Sequence, residues 1–166
     1  MAGRRSEARR YAVLALYQWQ MSGQSPADIA RQFFDDPAWI EAVAEGLIED
    51  VDVKPGQTRS AVGYDAQLFD HLLRGVVERA DDIDDALRPM VDRALKSIDP
   101  VERAILRVGA FELLYSPELP VGVVINEAVD LAKVFGAEQG HRYVNGVLDK
   151  LARQVRREEL AARSSA

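Results

Sequence analysis

The chain of 166 residues has no cysteine and only two histidines, and its apolar runs are short. The absence of cysteine excludes disulfide frameworks, thiolate zinc sites and cysteine nucleophiles, and it fits a reducing compartment. The apolar runs fall far short of the roughly 20 residues that span a bilayer. The basic N-terminus also lacks the apolar stretch of a secretory signal. We therefore expect a cytoplasmic protein with no membrane segment.

The residues that are present favour one helical domain. Hydrophobic residues make up 48% of the chain and charged residues 29%, which is enough to bury a core and excludes wholesale disorder. Apolar residues recur with helical spacing in almost every segment, and helix caps rather than hairpin turns separate the segments. We predict an all-α fold with about seven helices in two small packed bundles.

Proline and glycine mark the boundaries of these helices. Ser25-Pro26 and Asp99-Pro100 each place a capping side chain before a proline, which is typical of a helix start. We predict that a helix stops at Gly23, that Pro89 interrupts another, and that the last ten residues fray. The predicted organisation is an N-terminal subdomain over about 4–50, a mobile linker over about 51–63 that includes a Pro-Gly pair, and a C-terminal subdomain over about 64–157.

The charge of the chain is unevenly distributed. The net charge is −6, yet residues 1–10 carry +3 and residues 141–166 carry +3, which leaves −12 for the 130 residues between them. An acidic total taken alone argues against a nucleic-acid partner. The two basic ends remove that objection, and the acidic middle either keeps the protein in solution or attracts a basic partner.

The sequence contains few marks of catalysis. His71 and His141 lie in different predicted helices without the spacing of metal ligands. The later glycines, Gly136, Gly140 and Gly146, are too far apart for a phosphate-binding loop. We expect no enzyme activity, no cofactor and no bound metal.

Arginine and tyrosine near the two ends favour RNA binding. Arginines neutralise phosphates, and a tyrosine ring on the same helix provides a surface on which a base stacks. The alternative for the first group is a solvated terminus that aids solubility, and the alternative for the second is a tyrosine in the core. The candidate residues on these grounds are Arg4, Arg5, Arg9, Arg10 and Tyr17 in the first helix, and Arg142 and Tyr143 in the last.

Several strings of residues, in order along the chain, resemble the NusB family of bacterial transcription antitermination factors. The resemblance covers nearly the whole chain except residues 35–62, which look like a longer insertion. Gln139-Gly140 departs from the family pattern, which usually has Asp-Ser there. The strings are residues 9–17 (RRYAVLALY), 101–108 (VERAILRV), 125–129 (INEAV), 135–138 (FGAE) and 143–149 (YVNGVLD).

The resemblance implies a function without catalysis. Proteins of this family bind NusE, a ribosomal protein that doubles as a transcription factor, and the pair recognises the boxA element of leader RNA. The complex then helps RNA polymerase to read through terminators, chiefly in ribosomal RNA operons. The positions that match the RNA-binding residues of the family are Arg4, Arg5, Arg9 and Tyr17 in the first helix and Tyr143 in the last, and Glu102 matches an acid near the same surface; we include it among the RNA-binding candidates.

Three questions stay open from the sequence. Similar helical domains occur at the N-terminus of ribosomal RNA cytosine methyltransferases, so a related RNA-binding domain is an alternative, as is a protein-binding helical adaptor. Family members differ in oligomeric state, and a homodimer is possible. Gly146 lies in a predicted helix interior, where glycine costs roughly 0.5 to 1 kcal/mol relative to alanine, and we expect a close helix crossing there.

Overall fold

The computed structural model describes residues 3–35, 64–135 and 139–164. Every regular element in these ranges is helical, as predicted, and two short 3₁₀ turns, Arg88–Met90 and Leu95–Ser97, precede the fifth helix. None of the helices described is long and apolar enough to cross a membrane. The helices are α1 (Arg4–Ser22), α2 (Pro26–Asp35), α3 (Ala66–Glu78), α4 (Ala80–Leu87), α5 (Pro100–Tyr115), α6 (Val121–Phe135), α7 (Gly140–Val155) and α8 (Arg157–Ser164).

The chain divides into two compact units, Met1–Glu78 and Arg79–Ala166. The division falls after α3, whereas we predicted that the C-terminal group begins near residue 64. Helix α3 is in the first unit because its apolar face packs against α1 and α2. The predicted linker at 51–63 lies outside the residues described.

Local capping in the first unit follows the sequence signals. Gly23 adopts a left-handed conformation with φ of 71°, and its amide donates to the carbonyl of Trp19 at 2.9 Å. Glycine adopts this conformation without the steric cost of a side chain, so the helix ends there. The Ser25 hydroxyl accepts a hydrogen bond from the Asp28 amide at 3.2 Å. Both predicted boundaries are confirmed.

Helix α1 is the centre of the first unit. Helices α2 and α3 both pack against α1, so that residues on most of its surface are buried. Trp19, near the end of α1, is half-buried. The aromatic rings of the unit form a cluster with neighbouring centroids 4.7 to 6.3 Å apart, comprising Tyr11, Phe33, Phe34, Tyr64 and Phe69.

Helix α5 is the centre of the second unit and packs against α4, α6 and α7. The Asp99 carboxylate accepts hydrogen bonds from the amides of Val101 and Glu102, at 3.0 and 3.2 Å. Pro100 occupies the first helical position, where no amide hydrogen is needed. The helix start predicted at Asp99-Pro100 is therefore confirmed.

The close helix crossing in this unit lies at Gly109, not at Gly146. A Cβ added to Gly109 would lie 2.6 and 3.0 Å from the two methyl carbons of Leu148, so α5 approaches α7 through a position without a side chain. Gly146 is exposed and has open space where a Cβ would stand. The prediction of a crossing at Gly146 was wrong because that position points away from the buried face of α7.

The C-terminal residues form α8 instead of fraying. Arg156 is 8% exposed and its guanidinium donates to four carbonyl oxygens, including those of Leu113 and Ser116 at 2.8 and 2.9 Å. It also pairs with Glu159 at 2.7 Å, and the other oxygen of Glu159 accepts from the Val121 amide at 2.8 Å. These bonds connect α8 to the end of α5 and the start of α6, so the predicted fraying was wrong for residues 157–164.

Helix α4 contains an acidic run at residues 81–85. Asp81 and Asp82 are exposed in its first turn, where negative charge is favoured by the helix dipole. Asp84 instead turns inward and accepts two hydrogen bonds from Arg107 of α5, at 2.9 and 3.0 Å. Pro89 lies in a 3₁₀ turn immediately after α4, so the interruption predicted at this proline is present.

Candidate nucleic-acid interface

The first two candidate arginines lie at the start of α1. The guanidinium of Arg4 donates to the Tyr64 carbonyl at 3.2 Å, and the Asp65 amide donates to the Arg4 carbonyl at 3.1 Å. Arg5 lies 4.0 Å from the Asp65 carboxylate, and its side chain is 59% exposed. Arg4 therefore fastens the start of α1 to the segment before α3, while Arg5 presents its charge to solvent.

The next two arginines are less accessible than predicted. Arg9 is only 3% exposed. Arg10 lies 3.8 Å from the Glu7 carboxylate, and the side chains of this pair are 14% and 16% exposed. Their assignment as RNA ligands stays a prediction, and their low exposure follows from the packing of other helices around most of α1.

Tyr17 lies two helical turns after Arg10 and is half-buried. Partial exposure leaves part of its surface in contact with solvent. Its role as a surface on which a base stacks stays a prediction.

The second candidate group forms a contiguous cluster in the second unit. The Tyr143 hydroxyl on α7 donates to the Asp92 carboxylate at 3.2 Å. The Arg93 guanidinium lies 5.0 Å from the centre of the Tyr143 ring, within the range of a cation–π interaction. Arg93 also donates to Asp92 at 3.0 Å. Tyr143 is thus a half-buried residue with polar and cationic neighbours rather than a core residue.

The electrostatics of this cluster keep the tyrosine neutral and the aspartate ionised. Burial, and then the hydrogen bond to Asp92, raise the pKa of Tyr143 above 10.0. The hydrogen bond from Arg93 is the main cause that lowers the pKa of Asp92. At neutral pH the cluster therefore presents a neutral phenol ring beside an ion pair.

Glu102 lies beside the start of α7. A Cβ added to Gly140 would lie 2.5 Å from a carboxylate oxygen of Glu102, so this side chain packs directly against the backbone there. Gln139, the residue before α7, makes no side-chain capping bond. Burial, followed by repulsion from Asp99, raises the pKa of Glu102. Gly140 stands where the family pattern usually has serine, and its lack of a side chain leaves room for the Glu102 carboxylate.

The structure brings some candidates together and adds two residues to them. Tyr143 shares its cluster with Asp92 and Arg93, and Arg142 is exposed next to it in the sequence. The arginines of α1 belong to the other unit. Sequence reasoning missed Asp92 and Arg93 because they lie about fifty positions from Tyr143, and only the packing of the second unit brings them beside it. Among the residues described, no group of three or more His, Cys, Asp or Glu side chains is placed to hold a metal ion.

Comparison with known proteins identifies the family. The model of the NusB family matches residues 6–153. Transcription antitermination protein NusB of Nitrosococcus oceani is 46% identical over 164 residues, which cover 99% of this chain and 95% of that protein. The protein of the same name from Alkalilimnicola ehrlichii is 49% identical over 149 residues, covering 90% of this chain and 81% of that one.

Solved structures give the same result for the fold. NusB of T. maritima superposes with a TM-score of 0.62 at 26% identity, covering 92% of this chain and 94% of that one. A crystal structure of the antitermination factors NusB and NusE in complex with double-stranded RNA gives a TM-score of 0.65 at 25% identity, covering 90% and 96% of the two chains. The protein has the all-α NusB fold and belongs to the NusB family.

Proposed function

We propose that the protein is an RNA-binding transcription antitermination factor without catalytic activity. With NusE it binds the boxA element of leader RNA and joins the RNA polymerase complex that reads through terminators in ribosomal RNA operons. The observation that carries the proposal is the likeness over nearly the whole chain to proteins named for antitermination. The related structure that holds NusB, NusE and RNA together supports both partners.

Two surfaces of this chain have the chemistry that the function requires. Arg5 is a solvated cation at the start of α1, where it can neutralise a phosphate. Tyr143 has an aromatic face beside Arg93 and the exposed Arg142, a combination that suits stacking of an unpaired base next to the backbone of its strand. The −12 charge of the middle of the chain favours association with a basic ribosomal protein such as NusE.

Crosslinking tests this proposal and separates it from a protein-binding adaptor. Photoreactive RNA carrying boxA is irradiated with the full chain and NusE, and the crosslinked peptides are mapped, with scrambled RNA of equal length as the control. We expect crosslinks near Tyr17 in α1 and near Tyr143 in α7, at higher yield with boxA. Crosslinks that miss both helices would identify the protein as an adaptor.

Oligomeric state bears on the same function. A homodimer that covered α1 would block the approach of RNA to Arg5, and dissociation would then become a regulatory step. Sedimentation at several protein concentrations, with and without RNA, distinguishes the two states. We expect RNA to shift any dimer toward the monomer.

A further inference from the structure

A cleft of about 570 Å³ opens in the second unit, between α4, the start of α5 and the segment that joins them. Its lining is unusual in charge, because it contains five cationic side chains and one carboxylate. The lining residues are Asp84, Arg88, Arg93, Ala94, Leu95, Lys96, Arg103 and Arg107. The cleft lies outside every site assigned above except that Arg93 belongs to both.

The carboxylate of the cleft does not balance its cations. Asp84 is engaged by Arg107 through two hydrogen bonds, at 2.9 and 3.0 Å, with both side chains at most 15% exposed. Arg88 and Arg93 pair with exposed aspartates on their own segments, outside the cleft. Arg103 and Lys96 form no ion pair with any residue that the structure describes. The cleft therefore holds two cations without a carboxylate partner.

Arg103 is the more unusual of these two cations. One terminal nitrogen donates to the Leu95 carbonyl at 3.3 Å, while its Nε is buried without a hydrogen-bond partner among the residues described. Burial, and then repulsion by Arg107, lower the pKa of Arg103. A guanidinium nevertheless stays protonated in proteins. Because Arg103 lines the cleft and its charge has no carboxylate partner there, an anion in the cleft would gain a charge-assisted interaction with it.

We propose that this cleft binds a phosphate group of the RNA strand whose base contacts Tyr143, an inference that rests on the proposed function. Arg93 links the two sites, because its guanidinium both lines the cleft and lies over the Tyr143 ring. Guanidinium groups match the tetrahedral oxygens of phosphate in a two-bond geometry. The adjoining ring favours a nucleotide over an acidic peptide, since its face can stack on a base while its hydroxyl is already hydrogen-bonded to Asp92.

Salt dependence of RNA binding tests the cleft. Affinity of the full chain with NusE for single-stranded boxA RNA, and for a scrambled RNA, is measured at several salt concentrations. Replacing Lys96 or Arg103 by glutamine should weaken binding to both RNAs. The plot of log affinity against log salt should become shallower, with the magnitude of its slope reduced by about 0.7 for each lost phosphate contact. The ratio of the two affinities should not change, because phosphate contacts carry no sequence information.

Controls keep the result interpretable. Lys96 is exposed, so Lys96→Gln tests the cleft without disturbing the core. Arg153→Gln removes an exposed arginine of the same unit that lies outside the cleft and should leave the slope unchanged. Unchanged slopes in both cleft variants would overturn the proposal even if the wild type prefers boxA. A wild type with no preference for boxA would overturn the proposed function, while the slopes on scrambled RNA would still decide the cleft.

Titration with inorganic phosphate distinguishes a cleft that binds RNA phosphate from one that binds free phosphate. The amide resonances of Ala94 to Lys96 are followed by NMR during titration with phosphate. Shifts that are lost in Arg103→Gln, together with reduced RNA slopes, support a cleft for RNA phosphate. Shifts with unchanged RNA slopes would assign the cleft to free phosphate and overturn its role in RNA binding.

Discussion

Replacing Gly109 by alanine tests the packing of the second unit most sharply. The added Cβ would stand 2.6 Å from one methyl carbon of Leu148 and 3.0 Å from the other. Leu148 is fully buried, and its α7 neighbours Val147 and Leu151 are almost fully buried. Its methyl groups therefore have little free space to move into, and α5 and α7 must separate or Leu148 must leave its preferred rotamer.

The expected cost follows from two opposing terms. Inserting a methyl group into a filled core costs typically 1 to 3 kcal/mol. Alanine in a helix interior regains about 0.5 to 1 kcal/mol over glycine. The packing cost is the larger, and the free energy of unfolding should fall by about 0.5 to 2 kcal/mol. Gly146 lies on the exposed face of α7 with open space around it, so Gly146→Ala should gain the helix-propensity contribution without any packing cost.

Urea unfolding followed by circular dichroism measures both variants against the wild type. The unfolding midpoint should fall for Gly109→Ala and rise for Gly146→Ala. Leu148→Ala opens space at the crossing, so the alanine at 109 should cost less in the double variant than in the single one. An increase in stability of similar size at both glycines would refute the reasoning, because it would mean that helix propensity alone matters.

Three further predictions concern α8, Glu102 and the RNA contacts of α1. Arg156→Ala leaves buried carbonyl oxygens without donors and should lower the free energy of unfolding by about 3 kcal/mol. Arg153→Ala breaks an exposed ion pair in the same unit and should change that free energy by less than about 0.5 kcal/mol. Equal urea midpoints for the two variants would contradict this prediction. The folded-state pKa of Glu102 is raised above 4.5. The wild type should therefore lose stability relative to Glu102→Gln as pH rises from about 4.5 through that folded-state pKa. Thermal melts of both proteins at pH 4 and pH 7 check this, and a difference in melting temperature that is the same at both pH values would contradict it. Tyr17→Ala should weaken RNA binding at an unchanged salt slope, since stacking releases no counterions, whereas Arg5→Gln should lower the slope by about 0.7; anisotropy titrations check both, and a changed slope for Tyr17→Ala would count against stacking.

The helices could be predicted because their ends depend on local chemistry. Ser25, Asp99 and Gly23 act through hydrogen bonds or dihedral angles within a few residues, and such signals are readable in any single sequence. The all-α class followed from the same patterns.

The residues that the sequence could not place depend on distant partners. Arg156 looks like one more charge in a polar tail, and only the carbonyls of residues 112–119 make it a buried anchor. Arg9 looks like its neighbour Arg5, yet the packing around α1 buries it. Gly109 and Gly146 are alike in the sequence, and only the position of Leu148 distinguishes them.

The candidate site likewise contains residues that the sequence reveals and residues that only the fold brings together. Tyr143 and Glu102 could be found because they lie in strings that resemble a family. Asp92 and Arg93 complete the cluster through contacts about fifty positions away in the chain, and the charge of the cleft arises only when α4 and α5 pack together.

The measurement that tests the function most directly is a titration in four arms. Fluorescent boxA RNA or scrambled RNA is titrated with the full chain, with and without NusE, at one salt concentration. We expect the affinity for boxA to exceed that for scrambled RNA, and the difference to grow when NusE is present. Equal affinities for the two RNAs in the presence of NusE would contradict the assignment of this protein as a boxA-binding antitermination factor.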